Sequence, residues 1–266
     1  MNLDDKYKRF LFDTIAEIYD LVRPQYPRPL IDNLEETSDL QRRSRILEIG
    51  SGTGQLTKGL AARGFNIDCV EIGPKLAGFA RTRLSEFPNI RIKTGNFEKM
   101  KYKVNYYDLA VFATSYKWID PKERIPRVTR LLRENGYIAI IETHHVNGGT
   151  ENFFIDSQTC YKLYDPNTSD TFKLPDPTGV IARKYEEETK KCFNTVLSRA
   201  YEQEIQYSTA EYLKLLRTYS DVLAMNEESR KALLDCIAEI IESKYAGYVK
   251  KRYLFELFVA KRKPLP

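Results

Sequence analysis

Gly50-Ser51-Gly52-Thr53-Gly54 follows the short apolar run Ile46-Leu47-Glu48-Ile49 and precedes a helical pattern that opens at Leu56. Glycines at such a strand-to-helix turn admit positive φ and let the backbone approach a ligand closely. The helix N-terminus behind them presents further N–H donors. Spacing separates the ligand classes. A dinucleotide loop, Gly-x-Gly-x-x-Gly, needs its third glycine at position 55, where Gln55 stands; here it comes one residue early, at Gly54. That disfavours a nicotinamide dehydrogenase. Two carboxylates flank the loop: Glu48, and Glu71 at the end of the run Cys69-Val70-Glu71-Ile72. In Glu71's place a carboxylate accepts hydrogen bonds from both hydroxyls of a ribose and repels a 2′-phosphate.

Two more segments carry candidates. Thr94-Gly95-Asn96-Phe97-Glu98 follows a third strand, and Thr114-Ser115-Tyr116-Lys117-Trp118 follows a fourth that ends at Ala113. In this order the four elements resemble those of the class I S-adenosylmethionine-dependent methyltransferases. The resemblance implies S-adenosyl-L-methionine as cofactor, with Glu48, Gly50, Ser51, Gly52, Gly54, Gln55 and Leu56 around its amino-acid portion. Glu71 then takes the ribose, and Ile72 packs on the adenine. Asn96 stands where the family usually has Asp and accepts from the adenine amino group through an uncharged oxygen, while Phe97 offers its backbone N–H. Ala113 and Thr114 end beside the sulfonium.

Tyr19-Asp20, Arg23-Pro24-Gln25-Tyr26-Pro27 and the later Leu215-Leu216-Arg217-Thr218-Tyr219-Ser220 extend the likeness to nearly the whole chain. They resemble methyltransferase type 11 domains of the trans-aconitate and ubiquinone/menaquinone C-methyltransferase-like group. There the tyrosine and arginine at the Tyr19 and Arg23 positions lie near the cofactor's amino-acid end. Relatives often carry His-Trp where Lys117-Trp118 stands, so no role passes from that histidine.

Methyl transfer from a sulfonium is an in-line displacement, so the protein must align the acceptor and exclude water. A carboxylate acceptor needs no base; an amine, phenol or enol carbon generally does. His144 and His145 follow the fifth strand at the same sheet edge, and His144 is a candidate base, with a loop anchor as the plainer role. Tyr116 is a second catalytic candidate, for orienting the acceptor. Phe153, Phe154, Tyr161, Tyr164, Phe172 and Tyr185 could close a dry pocket by cation–π contact or simply pack an insertion onto the core. The expected partner is a small-molecule methyl acceptor. A nucleic-acid or protein methyltransferase is the main alternative, but Ala113-Thr114-Ser115-Tyr116 stands where Asn-Pro-Pro-Tyr or Asp-Pro-Pro-Tyr would serve a nucleic-acid target. The other alternative is a non-catalytic S-adenosylmethionine-binding protein.

Positioning these residues requires a Rossmann-like α/β three-layer sandwich. Short strands begin near residues 46, 66, 90, 107 and 137, separated by helical patterns, which argues a parallel sheet covered on both faces. The resemblance implies seven strands, mostly parallel, with the last antiparallel. We expect one domain over 1–266: an N-terminal cover (1–31), a cofactor-binding core (32–145), an insertion or lid without clear period (146–194), and a C-terminal part completing the sheet (195–266). The cover begins as an amphipathic helix from Asp4 to Leu21.

Composition narrows the class. The 266 residues are 42% hydrophobic with a formal charge of +5, and no apolar run nears the roughly 20 residues of a membrane span. The acidic N-terminus lacks a secretory pattern, so the expectation is a cytoplasmic protein with no membrane insertion and no nucleic-acid partner. Lys122, Arg124, Arg127, Arg130 and Arg133 read as a solvated helix face. The four dispersed cysteines read as reduced and mostly buried, and two histidines are too few for an ordinary zinc enzyme, so no metal is expected.

Overall fold

In the computed structural model the strands β1 (Arg45–Ile49), β2 (Asn66–Glu71), β3 (Ile90–Thr94), β4 (Tyr107–Ala113), β5 (Leu132–His145), β6 (Phe193–Ser208) and β7 (Tyr248–Arg262) form one sheet in the order β3-β2-β1-β4-β5-β7-β6. β1 to β5 pair in parallel, and β7 inserts antiparallel between β5 and β6. The expected seven-stranded sheet with an antiparallel last strand is therefore the observed one. Residues 11–165, 171–179 and 183–264 are described; the expected helical residues Asp4 to Phe10 and residues 166–170 and 180–182 of the expected insertion lie outside them.

Side-chain alternation along the strands divides the core in two. Ile46, Leu109, Val111, Ala139 and Ile141 pack on one face, against α2 (Arg28–Thr37) and α3 (Gln55–Ala61). Leu47, Ala110, Phe112, Ile138 and Ile140 pack on the other, against α5 (Pro121–Leu131). α1 (Ala16–Val22), which follows a short helical turn, precedes α2 in the chain, and α4 (Pro74–Arg83) comes between α3 and α5. Pro121 opens α5 where its missing N–H costs nothing, and Asp120 caps it by accepting from the Lys122 N–H.

The segment after β5 has more order than its sequence suggested. It holds α6 (Glu151–Asp156), α7 (Gln158–Tyr164) and α8 (Arg183–Thr189), helices too short to show a period. β6 leads into α9 (Thr209–Leu216), whose start is fixed by a capping box between Ser208 and Glu211, then α10 (Ser220–Ala224) and α11 (Glu227–Lys244).

Three expectations need correction. Cys160 in α7 and Cys236 in α11 form a disulfide, so only Cys69 and Cys192 are free; the pair is 76 residues apart in sequence and meets only because the two helices pack. The basic residues of α5 do not form one solvated face: Arg124 is buried, with its guanidinium on Glu188 and over the Tyr116 ring. β5 continues through both histidines, because β7 pairs with it as far as His145↔Tyr253. Consecutive strand residues face opposite ways, so the two imidazoles part company.

Candidate active site

The glycine loop leaves β1 at the carboxyl edge of the parallel strands. Gly50, Gly52 and Gly54 all have positive φ, at 71°, 57° and 89°. A Cβ on Gly50 would sit 2.6 Å from the Ser115 Cβ, so the turn tolerates no side chain there. Glu71 fastens the loop from the next strand: its Oε2 accepts from the Gly52 N–H at 2.8 Å and its Oε1 from the Gly73 N–H at 2.9 Å. Burial raises the Glu71 pKa above its ordinary value, and these N–H groups partly offset that rise. Glu48 lies beneath the loop and accepts the Thr57 hydroxyl at 2.7 Å. Burial pushes Glu48 up to about 8 despite that hydrogen bond.

The N-terminal segment covers the loop. Asp13 caps α4 by accepting from the Lys75 and Leu76 N–H groups, and Asp20 in α1 accepts the Thr53 hydroxyl at 2.9 Å. Tyr26 meets the Thr114 hydroxyl at 3.0 Å. Thr114, the residue after β4, has φ +57°, a conformation β-branched residues rarely accept.

A cavity of two adjoining chambers lies between cover, loop and lid. The outer, about 480 Å³, is walled by Gly50, Gly52, Glu71, Ile72, Phe97, Ala113 and Thr114, then by Lys117, Trp118, Glu142, Tyr161 and Asp165. The inner, about 340 Å³, is walled by Glu48, Ser51, Gln55, Leu56, His145, Tyr219 and Lys251. Tyr19 and Arg23 line both.

Four sequence-derived candidates lie off these walls. Gly54 is the N-cap of α3, and a Cβ there would meet Leu84 at 2.7 Å. Asn96 turns its Oδ1 to the Glu98 N–H at 2.7 Å. Tyr116 is 2% exposed; its hydroxyl donates to Glu188 at 2.7 Å. His144 points to the β7 carboxylate Glu256, with Nε2 to Oε2 at 3.2 Å. It is His145 that reaches the cavity, its Nε2 buried without a hydrogen-bond partner. Burial, then the Lys251 ammonium, holds His145 down to about 2. Of the lid aromatics, Tyr161 lines the cavity, whereas Phe153, Phe154 and Tyr185 are buried in packing contacts and Phe172 is exposed.

Residues 47–140, which hold the loop, Glu71 and the whole of β4, match a methyltransferase domain family. That match, together with the seven-stranded sheet and the glycine loop over Glu71, supports an S-adenosylmethionine-dependent methyltransferase domain. Over 130 residues it is 31% identical to an uncharacterised methyltransferase of Mycobacterium tuberculosis, covering 49% of this chain and 51% of that one. The chain thus spans about half the length of such curated relatives. It is 24% identical over 225 residues to a malonyl-[acyl-carrier protein] O-methyltransferase of Acetivibrio thermocellus, covering 79% and 76% of the two. Among solved structures, a candidate type II methyltransferase from Anaeromyxobacter dehalogenans shares the fold (TM-score 0.63, 18% identity, 90% and 97% covered). So does phosphoethanolamine N-methyltransferase 2 of Haemonchus contortus, solved with phosphomonomethylethanolamine and S-adenosylhomocysteine (TM-score 0.53, 15% identity, 95% and 58% covered).

Beyond the methyltransferase core, the sequence reading missed Lys251 and the place of Tyr219. A signal existed for Lys251: Val249, Lys251, Tyr253, Phe255, Leu257 and Val259 share one strand face, which put a lysine in an inward row. Its neighbours Lys250 and Arg252 masked it as part of a basic run.

Proposed function

We propose that this chain transfers a methyl group from S-adenosyl-L-methionine to a small-molecule acceptor. One observation carries the reading: the cavity over the glycine loop and Glu71 adjoins a second chamber walled by Tyr19 of α1, Arg23, Tyr219 and Lys251, with donors and acceptors of its own. Concave pockets with a few convergent polar groups suit metabolites, whereas nucleic acid is met by an extended basic surface. The name of one relative agrees, a rice 2-methyl-6-phytyl-1,4-hydroquinone methyltransferase, 28% identical over 148 residues, and the malonyl-[acyl-carrier protein] O-methyltransferase takes a small acyl group carried on a protein.

The residues present fit the cofactor. Gly50, which leaves no room for a Cβ, and Gly52, at positive φ, line the cradle, and the buried Arg23 Nε has no partner among the described residues. Glu71, with a lone pair left on each oxygen, would hold the ribose hydroxyls, and Ile72 and Phe97 would border the base. Arg23 and the loop would hold the amino-acid end. When bound, S-adenosylmethionine supplies a methyl group already activated for displacement. The chain's own part is to align and to exclude water, which the Asp20, Tyr26 and Tyr161 contacts of cover and lid serve. His145, held near 2, is too weak a base to relieve an acceptor of its proton near neutral pH.

Calorimetric titration with S-adenosylmethionine and with NAD tests the reading. Binding of the first alone, followed by methyl transfer to members of a panel of small acids, amines and phenols, is the expected result. Folded protein that binds neither ligand would overturn it.

A further inference from the structure

Lys251 is 4% exposed, and its Nζ has one hydrogen-bond partner, the Tyr219 hydroxyl at 2.6 Å. The rings of Tyr219 and Tyr253 complete its surroundings, at 4.8 and 5.4 Å. Arg23 stands against the other contacts of the same ring: its guanidinium lies 4.9 Å from the Tyr219 centroid, donates to the Thr218 carbonyl, and keeps a buried Nε without a partner. Among the described residues neither cation forms an ion pair with a carboxylate, and both line the inner chamber, where the buried His145 Nε2 also has no partner. Buried charges in proteins are as a rule paired, because an unpaired ammonium out of water is costly. The carboxylate within this wall, Glu48, cannot serve: it is turned to Thr57.

We propose that Lys251 and Tyr219 form an anion seat in the inner chamber, which binds a carboxylate group of the ligand. This deepens the methyltransferase reading and rests on it. The phenol of Tyr219 stands where the anion would bind, its oxygen 2.6 Å from the Lys251 Nζ. Burial raises the Tyr219 pKa, yet Lys251 and Arg23 outweigh burial and bring it below its ordinary value. An arriving carboxylate would take over the ammonium and accept the phenol's proton as a hydrogen bond, without any covalent step. Such charge-assisted contacts are the strong members of their class. Two sources share this chemistry, the cofactor's own carboxylate and that of an acidic acceptor.

Binding calorimetry on the whole chain separates them, with Lys251→Met and Tyr219→Phe compared with the wild type after thermal melts confirm that both are folded. The probes are S-adenosylmethionine, its decarboxylated form, and acetate, succinate and benzoate against their amides, with and without saturating S-adenosylhomocysteine. If the cofactor's carboxylate occupies the seat, the wild type prefers S-adenosylmethionine to the decarboxylated form by about tenfold or more, and Lys251→Met erases the preference. If the acceptor's does, both variants bind the cofactors normally and lose about tenfold or more in affinity for a carboxylate probe whose amide does not bind. Either result supports the seat. Wild-type affinities for every probe in both variants would overturn it, as would a wild type that favours no carboxylate over its uncharged counterpart. A wild type that binds carboxylates but neither S-adenosylmethionine nor S-adenosylhomocysteine would instead sink the methyltransferase reading and leave the seat standing.

Discussion

Asp20 in the N-terminal cover accepts the hydrogen bond of the Thr53 hydroxyl at 2.9 Å, in the middle of the glycine loop. The same carboxylate oxygen receives the Arg83 guanidinium from the end of α4. One acid therefore joins cover, loop and helix. Its removal loosens the cover, and with it Arg23, without deleting any side chain proposed to contact the ligand. Asp20→Ala is expected to weaken S-adenosylmethionine binding by about tenfold, the worth of one hydrogen bond to a charged group. Calorimetry checks this; an unchanged affinity would mean that the cover contributes nothing to holding the ligand.

Glu71 does two things that substitution can separate. It anchors Gly52 and Gly73, and it offers lone pairs toward the cavity. Glu71→Gln keeps one oxygen acceptor but puts an NH2 donor against a backbone N–H or a ribose hydroxyl. Loss of a charged acceptor should weaken S-adenosylmethionine binding by about ten- to a hundredfold. Adenine-containing ligands without ribose hydroxyls should lose much less. Equal losses for S-adenosylmethionine and for its 2′,3′-dideoxy analogue would assign Glu71 to the loop anchor alone.

The glycine loop, Glu48, Glu71 and the strand–helix alternation were legible because each is a local pattern: a turn that needs positive φ, a strand-end acid, a period. The inner chamber was not. Arg23, His145, Tyr219 and Lys251 come from four parts of the chain spread over more than two hundred positions, and the long β5–β7 pairing brings the last strand to the wall of that chamber. The choice between His144 and His145 also hung on where β5 ends. A strand through both sends one to Glu256 and the other to the cavity, a parity that a reading with both histidines beyond the strand cannot supply. The Cys160–Cys236 bond was invisible for a similar reason, since nothing local marks two helices as neighbours.

Buried Glu48 should give stability a particular pH dependence. Its pKa in the folded chain, about 8, exceeds the ordinary 4.5, so between those values the folded state holds a proton the unfolded state has released. Stability therefore falls as pH rises through that window. His145 acts in the opposite sense, but only between its depressed value near 2 and its ordinary 6.5. From pH 6.5 to 8 the Glu48 slope stands without that opposition, at up to about 1.4 kcal/mol per pH unit. Glu48→Gln keeps an acceptor for Thr57 and should flatten the decline of melting temperature over that range. A variant whose melting temperature tracks the wild type's slope would show that Glu48 ionises normally.

Gly50→Ala probes the cradle. The new methyl would meet the Ser115 Cβ at 2.6 Å in a backbone already at φ +71°. Both the strain and the clash act in the folded state, for a combined cost of about 1–3 kcal/mol. Chemical denaturation should show that loss, together with weaker S-adenosylmethionine binding as the loop and Ser115 move apart. Undiminished stability and affinity would mean that Ser115 yields freely.

The Cys160–Cys236 bond fixes α7 to α11, and the residue after Cys160 is Tyr161, whose side chain walls the outer chamber. The cross-link therefore bears on both stability and the lid. Opening it should cost about 2–5 kcal/mol, seen as a melting temperature lower by about 5–15 °C. Alkylation of the denatured chain followed by intact mass should count two thiols before reduction and four after, because Cys69 and Cys192 are free. The double variant Cys160→Ala/Cys236→Ala should melt with the reduced wild type rather than the oxidised one. It should also bind ligands of the outer chamber more weakly, since Tyr161 is no longer held from its neighbouring residue. If the double variant melts as the oxidised protein does, packing of α7 on α11 suffices and the bond is a consequence of that packing, not its support.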